Sequence, residues 1–298
     1  ALWGLVAVLA LDIARKRVAR RGKGDSGFRR ILSALWQMSR PQNIPMSMVL
    51  VIAGACGARG LSWLALPAVR WQVLLCMLLT VMVTTSSCMV NDYFDYVAGV
   101  DGEESQGDRP LVKGDITPLE AKRALKWFYF AIILAICVVE SRSLRIYVLF
   151  NALLTYVYTQ ELKPRGFLYK NGCVAIVISL AIGLGAAAAQ VDAGTALAAG
   201  IVQVWPAMAA TFCGIFAREV IMDVTDVEGD SAAGIRTLPV VVGPRRALWV
   251  CQALLAPICA LQLLVPLARG RPLATPATGL LLALGSGGLV ALVRQAAR

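Results

Sequence analysis

Two clusters of acidic side chains, each at the end of a long apolar segment, carry most of the chemistry that this sequence offers. The first acidic cluster consists of Asn91, Asp92 and Asp95, followed by Asp101. The second acidic cluster consists of Asp223, Asp226 and Asp230. Carboxylates at the ends of membrane spans are costly to keep and usually mark a functional site. Oxygen-rich clusters of this kind suit Mg²⁺, whose coordination substrate phosphates complete, so together they predict a site for divalent metal ions and a diphosphate.

The spacing within each cluster places its members on one helix face. Asn91 and Asp95 are four residues apart, as are Asp226 and Asp230. Like charges at such spacings destabilise an isolated helix by about a few tenths of a kcal/mol, so we expect a compensating cation. A metal ion held there neutralises a diphosphate and helps it depart, leaving an allylic carbocation. The alternative is that these acids only cap helices or pair with basic loops.

The composition is that of a membrane protein. The 298-residue chain has a mean hydropathy of +0.68, 16% charged residues and no histidine, whereas soluble domains carry about 25% charged residues. All eight cysteines lie in apolar blocks without a Cys-x-x-Cys pair. This pattern argues against a zinc site, an iron–sulfur cluster or a disulfide framework.

Apolar blocks bounded by charged residues predict eight membrane helices, each near the roughly 20 residues that a bilayer requires. They cover residues 44–66, 70–91, 123–139, 144–162, 171–190, 197–222, 244–266 and 274–293. We therefore expect an all-α polytopic membrane bundle, because backbone groups in lipid must be satisfied within each helix. Residues 44–298 would form one transmembrane domain, and residues 1–43 an apolar stub followed by a basic tail.

The basic residues indicate how the predicted helices are oriented. Suppose that the amino-terminal tail, the loops after spans 2, 4 and 6, and the carboxyl terminus all lie on one side of the membrane. That side then holds all but six of the 29 Lys and Arg residues. This asymmetry follows the positive-inside rule. Both acidic clusters fall on that same side, which favours a single site at one membrane face.

Several basic residues near the acidic clusters are candidate diphosphate partners, because charge-assisted hydrogen bonds to phosphate are strong. They are Arg109, Lys113, Lys163, Arg165 and Arg236. The other interpretation is that they only determine topology, and Lys163 is the one we favour as a phosphate partner. Aromatic residues near the clusters would stabilise a carbocation by facing it, or form an interfacial belt. These are Tyr93, Phe94, Tyr96, Tyr156 and Tyr158.

The two clusters resemble the paired motifs of the UbiA-type intramembrane prenyltransferase family. That family carries an Asn-Asp-x-x-Asp motif after its second helix and an Asp-rich motif after its sixth, which match residues 91–95 and 223–230. Residues 40–43 resemble the arginine–proline–x–asparagine start of the first family helix. The stretches 218–223 and 234–239 are also similar to family sequence. The resemblance covers nearly the whole chain.

The resemblance implies a helical bundle around a central cavity, and Mg²⁺-dependent transfer of a polyprenyl group from its diphosphate to an acceptor. By matching position, the metal would be organised by Asn91, Asp95, Asp226 and Asp230, with Asp92 and Asp223 adjacent. The substrates would be bound by Arg40, Asn43, Arg109, Lys113, Tyr158 and Lys163.

The chain departs from the family pattern in two respects. Many members carry an Asp four residues beyond the equivalent of Asp95, but this chain has Gly99 there and its next acid at Asp101. The Gly-x-Asp arrangement resembles the naphthoate-prenylating branch, while the second motif resembles the homogentisate and archaeal-lipid branches. We therefore expect an aromatic quinone precursor as acceptor, namely homogentisate, dihydroxynaphthoate or hydroxybenzoate, with a glycerol-phosphate ether lipid as the alternative. The family has nine helices, so a ninth would lie beyond Arg298 or be fused into one of the eight.

An ion-coupled transporter is the alternative from another functional class. Transport acids are expected near the middle of a span, whereas these acids lie at the ends of spans. The net charge of +11 fits membrane orientation better than nucleic-acid binding. The Arg-rich amino-terminal region is compatible with a trimmed organellar targeting segment, which would place the protein in a plastid or mitochondrial membrane.

Overall fold

The computed structural model describes residues 24–101, 108–191, 196–232 and 234–268. In this part the chain forms ten α-helices and no strand. They are α1 (Gly24–Met38), α2 (Ile44–Arg59), α3 (Pro67–Val97), α4 (Pro118–Val138), α5 (Arg142–Val157), α6 (Phe167–Ala189), α7 (Ala196–Thr225), α8 (Val227–Ala232), α9 (Leu238–Val242) and α10 (Pro244–Ala268). The all-α prediction is confirmed. The eighth predicted span, the apolar stub and the basic residues before position 24 lie outside the described residues.

The chain forms two compact units. Unit 1 is the described parts of Ala1–Gln160 and Leu180–Trp205, and unit 2 is Glu161–Ser179 together with the described part of Pro206–Arg298. The prediction that residues 44–298 form one transmembrane domain stays a prediction. Each acidic cluster lies within a single unit, the first in unit 1 and the second in unit 2.

Helix α3 is the central element of unit 1, because it packs against α2, α4 and α5. Its 31 residues include the first acidic cluster in the last two turns. The core around it is apolar and fully buried, with Val51, Val73, Cys76, Leu79 and Leu144 at 0% exposure. The cluster is therefore placed by the most extensively packed helix of the unit.

Four helical segments within the described residues are long and apolar enough to cross a membrane. They are Pro41–Leu64, Pro67–Val97, Phe167–Ala189 and Ala198–Thr225. The helices α4 and α5, which were predicted as spans, are not among these four, because one is too short and the other carries too many charges. Helix α5 has 16 residues, which is about 24 Å of helix, and α4 carries Glu120, Lys122, Arg123 and Lys126 in its first half. The number of spans predicted from the sequence is thus not established.

Helix α5 nevertheless presents an apolar face to its surroundings. Its residues Leu144, Val148 and Ala152 are buried, whereas Ile146, Leu149, Phe150 and Leu153 are exposed. Exposed large apolar patches are unusual on proteins surrounded by water. This face therefore suits contact with lipid.

Small residues allow three helical segments of unit 1 to approach at backbone distance. A methyl group at Gly185 of α6 would overlap the carbonyl oxygen of Val51 in α2, and one at Gly54 would overlap the carbonyl oxygen of Ile182. A methyl group at Gly200 of α7 would lie 2.7 Å from the carbonyl carbon of Ala186. Such close contacts through small residues are typical of helix packing in membranes.

We expect Gly185→Ala to destabilise the protein, because the added methyl group forces α2 and α6 apart. Overpacking of a tight contact costs about 1–3 kcal/mol. Gly172→Ala in the same helix is the matched control, since a methyl group there meets nothing within 4 Å. Thermal unfolding in detergent measures both variants. Equal melting temperatures for the two would contradict the packing that the structure shows.

Unit 2 has its own smaller core. Phe216, Ala217 and Val220 of α7 pack with Leu238 of α9 and with Ala247 and Cys251 of α10. The amide of Phe167 donates a hydrogen bond of 3.2 Å to the carbonyl oxygen of Arg236. This bond joins the start of α6 to the segment that follows the second acidic cluster. Arg236 therefore contacts α6 through its backbone carbonyl group, while the residue is exposed.

Candidate active site

The first acidic cluster occupies the carboxyl-terminal turns of α3 in unit 1. Asn91 and Asp95 share a helix face, as their spacing predicts, and the Asn91 Nδ2 donates a hydrogen bond of 2.7 Å to Asp95 Oδ2. Asp92 and Asp95 are both buried. The amide thus fixes one carboxylate oxygen, and the two acids are held in a rigid helix.

Gly99 explains why this chain departs from the usual motif. It lies just beyond α3 with φ 72°, and its amide donates to the Tyr96 carbonyl while the amide of Val100 donates to the Asp95 carbonyl. This pair of bonds is a Schellman motif, in which glycine favours the left-handed position. The Asp101 amide also donates to the Asp95 carbonyl at 3.2 Å. The turn therefore brings Asp101 back beside the cluster.

Gly99→Ala should weaken this turn, because a β-carbon in the left-handed conformation costs about 1–2 kcal/mol. We expect a lower melting temperature, also because a displaced Asp101 would lose its ion pair with Arg109. Gly99→Asn is the control, because Asn tolerates the left-handed region better than other non-glycine residues. If Ala and Asn behave alike, the conformation of Gly99 does not position Asp101.

Arg109 lies among the carboxylates of the first cluster. Its Nη1 is 2.6 Å from Asp101 Oδ2, 3.1 Å from Asp92 Oδ1 and 3.7 Å from Asp95 Oδ2. The Asp101 side chain is only 3% exposed. A single guanidinium therefore serves as a shared counter-charge for three acids.

Arg40 supplies a second cation to the same cluster. Its Nη2 donates a hydrogen bond of 2.7 Å to Asp92 Oδ1. Arg40 is also the one described residue other than glycine with positive φ, at 47°. Such a conformation costs about 1–3 kcal/mol and persists where the surroundings impose it, most often at functional sites. The strained backbone aims this side chain at the acid.

The remaining substrate-binding candidates are distributed more widely. The Asn43 Nδ2 lies 3.6 Å from Cys88 Sγ, one turn before the acids of α3. Lys113 instead pairs with the exposed Asp108 at 2.9 Å, so the structure does not show it in contact with the carboxylates of the first acidic cluster. Tyr158 begins the π-helical turn Tyr158–Leu162 after α5, and Lys163 begins the short 3₁₀ helix Lys163–Arg165. Their roles stay predictions.

The second acidic cluster spans the junction between α7 and α8 in unit 2. Helix α7 ends at Thr225, Asp226 forms a turn, and α8 starts at Val227. The Asp226 amide donates to the Asp223 carbonyl at 3.2 Å, and the Asp230 amide donates to the Asp226 carbonyl at 2.8 Å. The acids therefore stay one helical turn apart across the break. Asp223 and Asp230 are buried, whereas Asp226 is exposed.

Two residues that the sequence interpretation missed are bound to Asp223. The Lys170 Nζ lies 2.7 Å from Asp223 Oδ1, and the Asn171 Nδ2 donates a hydrogen bond of 2.8 Å to Asp223 Oδ2. The same Nζ is 4.0 Å from Asp230 Oδ1. A lysine and an asparagine at the start of a 23-residue apolar helix were the available sequence signal. Polar residues placed there are costly unless they have partners.

Asp230 is held in an environment that disfavours its charged form. Burial raises the pKa of its carboxyl group above the ordinary range, while Lys170 and the hydroxyl of Thr237 oppose that rise. Its Oδ2 is buried and has no hydrogen bond of good geometry among the described residues, although the Thr237 hydroxyl interacts with the carboxyl group. An unsatisfied buried carboxylate oxygen is expensive. A cation at Oδ2 would remove that cost.

The donor set fits Mg²⁺ completed by a substrate rather than a ready-made metal cage. Among the described residues, no three acidic or cysteine side chains form a group that could hold a metal ion alone. Mg²⁺ commonly binds one or two carboxylates and takes its other ligands from water and phosphate. The buried Asp230 oxygen, which lacks a hydrogen bond of good geometry among the described residues, and the oxygen-only character of both clusters are compatible with that mode.

Comparisons with known proteins show which family this chain resembles. The profile of the UbiA prenyltransferase family matches residues 46–298. The digeranylgeranylglyceryl phosphate synthase of Methanoregula boonei is 31% identical over 224 residues, covering 68% of this chain and 75% of that protein. The synthase of the same name from Thermococcus kodakarensis is 30% identical, covering 80% of this chain and 78% of that protein.

Two solved structures share the fold. The apo structure of a UbiA homolog from Aeropyrum pernix K1 has a TM-score of 0.69 at 18% identity, covering 86% of this chain and 89% of that chain. A UbiA homolog from Archaeoglobus fulgidus bound to DMAPP and Mg²⁺ has a TM-score of 0.57 at 19% identity, covering 87% and 85%. At these identities the likeness supports the fold alone. The family profile, with relatives of about 30% identity over most of their length, shows that the chain belongs to the UbiA prenyltransferase family.

Proposed function

We propose that this protein is a Mg²⁺-dependent intramembrane prenyltransferase that moves a polyprenyl group from its diphosphate to a prenylated glycerol phosphate. The predicted enzyme class, a prenyltransferase, is confirmed by the family. The observation that carries the proposal is that each unit holds a carboxylate cluster with its own partly buried cation beside the end of an apolar helix. Membership of a prenyltransferase family argues against the alternative function, an ion-coupled transporter.

The acceptor in this proposal differs from the one that the sequence favours. The Gly-x-Asp arrangement predicts an aromatic quinone precursor as acceptor. The relatives from Methanoregula boonei and Thermococcus kodakarensis are instead named digeranylgeranylglyceryl phosphate synthases. They support the glycerol-phosphate ether lipid, which was the alternative.

The residues of the two clusters have distinct tasks in this reaction. Asp95 and Asp230 would hold Mg²⁺, together with Asn91 and Asp226. The metal ion supplies charge neutralisation of the diphosphate, which makes it a better leaving group. Arg109 and Arg40 would exchange contacts with carboxylates for contacts with phosphate, since guanidinium groups bind both well. The expectation that both clusters serve a single diphosphate stays a prediction.

The protein is a multi-pass integral membrane protein, as its family and apolar helices indicate. The expected plastid or mitochondrial location has no support from the relatives, which are archaeal. A bilayer suits both proposed substrates, because each carries a long apolar chain that partitions into lipid. The diphosphate and phosphate groups would be bound at helix ends, where the acidic clusters lie.

A competition between acceptors tests the proposal. Detergent-purified protein would receive geranylgeranyl diphosphate, Mg²⁺ and equimolar geranylgeranylglyceryl phosphate, homogentisate, 4-hydroxybenzoate and 1,4-dihydroxy-2-naphthoate, and mass spectrometry would identify the prenylated product. We expect the diprenylated glycerol phosphate to predominate. Predominance of a prenylated aromatic product would restore the acceptor that the sequence favours and refute this one.

A further inference from the structure

We propose that Lys170 is a diphosphate-binding cation of the second acidic cluster and that Asp223 is the residue that positions it, rather than a metal ligand. This inference rests on the proposed function. It assigns different tasks to the three acids of the cluster, which the sequence pattern treats alike. It also gives a role to Lys170 and Asn171, which no motif of the sequence identifies.

Asp223 is already occupied at both carboxylate oxygens. Lys170 Nζ lies 2.7 Å from Oδ1 and Asn171 Nδ2 lies 2.8 Å from Oδ2. The Asn171 side chain is fully buried and the Asp223 side chain is 7% exposed, so both are fixed by their surroundings. A metal ion bound to Oδ1 would face the ammonium group that the same oxygen accepts. Repulsion between these cations makes Asp223 a poor ligand for Mg²⁺.

Asp230 has the opposite character. Its Oδ1 is 4.0 Å from Lys170 Nζ, which is an ion pair but beyond hydrogen-bonding distance. Among the described residues its buried Oδ2 has no hydrogen bond of good geometry, and the hydroxyl of Thr237, which interacts with this carboxyl group, is neutral. This oxygen lacks a positive partner, and Mg²⁺ would supply one. Asp226 is exposed on the same helical turn and is available as a second carboxylate.

Lys170 has donor capacity left over. An ammonium group has three N–H donors, and in the described part of the chain Lys170 donates one hydrogen bond, to Asp223. Its side chain is 16% exposed, so it is not completely enclosed by the protein. The cluster therefore combines a carboxylate oxygen that requires a cation with an ammonium group that can bind an anion. Mg²⁺ and a diphosphate together satisfy both requirements.

A charge-matched double variant separates the two roles of these residues. Lys170→Gln combined with Asp223→Asn removes one positive and one negative charge, so the net charge of the cluster is unchanged. Asn at position 223 can still be held, because Asn171 Oδ1 is buried without a partner and can accept a hydrogen bond once the amide rotates. Lys126→Gln, at an exposed position of α4, controls for the loss of one lysine.

The measurement is calorimetric binding of geranylgeranyl thiodiphosphate, a slowly reacting analogue, at a series of Mg²⁺ concentrations. For the double variant we expect the dissociation constant of the analogue at saturating Mg²⁺ to rise at least about tenfold, as for loss of a charged hydrogen bond. The Mg²⁺ midpoint should stay within about threefold of wild type. Asp230→Asn should raise that midpoint at least about tenfold. Lys170→Arg should recover most of the affinity, because it keeps the charge.

Two results would overturn the inference while leaving the proposed function intact. A Mg²⁺ midpoint in the double variant that shifts as far as in Asp230→Asn would make Asp223 a ligand. Wild-type affinity for the analogue in the double variant would remove Lys170 from the diphosphate site. Failure of the wild-type protein to bind the analogue at any Mg²⁺ concentration would instead refute the proposed function, and this inference with it. Circular dichroism and melting temperature establish that each variant is folded.

Discussion

Replacing Asp230 with Asn is expected to lower the rate of Mg²⁺-dependent prenyl transfer by about 100- to 1000-fold, the range found when one electrostatic contact to the transition state is lost. Asp230 is buried, its Oδ2 has no hydrogen bond of good geometry among the described residues, and burial already raises the pKa of its carboxyl group. A bound Mg²⁺ would stabilise the charged form of this carboxylate, which burial disfavours. An amide of the same shape cannot supply the charge. Steady-state kinetics at increasing Mg²⁺ measures the loss.

Glu228→Gln is the matched control for that experiment. Glu228 lies in the same short helix, α8, but its side chain is exposed. It should retain nearly the wild-type rate, because its side chain is exposed and substitutions at exposed positions usually change little. Asp230→Asn protein that is folded and still turns over at more than about a tenth of the wild-type rate at saturating Mg²⁺ would rule out Asp230 as a ligand.

Arg109→Met is expected to cause the largest loss of stability. The Arg109 guanidinium lies within 3.7 Å of oxygens from Asp92, Asp95 and Asp101, whose side chains are almost completely buried. Removing one partner of a buried ion pair costs about 3–5 kcal/mol, since it leaves negative charge without its counter-charge. We therefore expect a lower melting temperature in detergent. Added Mg²⁺ should restore part of the loss, because it replaces the missing positive charge.

Lys113→Met provides the comparison for Arg109→Met. Lys113 pairs with Asp108, which is almost fully exposed, and exposed pairs contribute about 0–1 kcal/mol. Its melting temperature should match that of the wild type. If the two variants melt together, the ion-pair network around Arg109 does not stabilise this unit. If Mg²⁺ stabilises wild type and Arg109→Met equally, the first cluster is not where the added cation binds.

The periodicity of the sequence was sufficient to predict much of this fold. Long apolar blocks ending in charge predicted helices at α3, α6 and α7, and the i,i+4 spacing predicted the shared face of Asn91 and Asp95 that the hydrogen bond confirms. The counting of spans was less successful. Helix α5 is 16 residues long, and α4 mixes charges into its first turns, so hydropathy alone does not separate a short or tilted span from a packed helix.

The turn that follows α3 and the contacts between residues distant in sequence could not be predicted. The position of Asp101 depends on Gly99, which adopts a left-handed conformation just beyond α3. From the spacing of the motif alone, Gly99 is recognised only as the place where many family members have an Asp. The pairing of Lys170 with Asp223 joins residues 53 apart on different helices. A single sequence contains no signal for which basic residue meets which acid, because many lysines and arginines are equally suitable by charge.

The most direct test of the proposed reaction is a single-turnover experiment with deuterated geranylgeranyl diphosphate and geranylgeranylglyceryl phosphate on the purified protein. Mass spectrometry would follow the labelled product with Mg²⁺ or with EDTA. Our account predicts labelled digeranylgeranylglyceryl phosphate in the presence of Mg²⁺ and essentially none with EDTA. Equal product in both conditions would contradict the role of the acidic clusters, and no labelled lipid from folded protein with Mg²⁺ would contradict the proposed reaction.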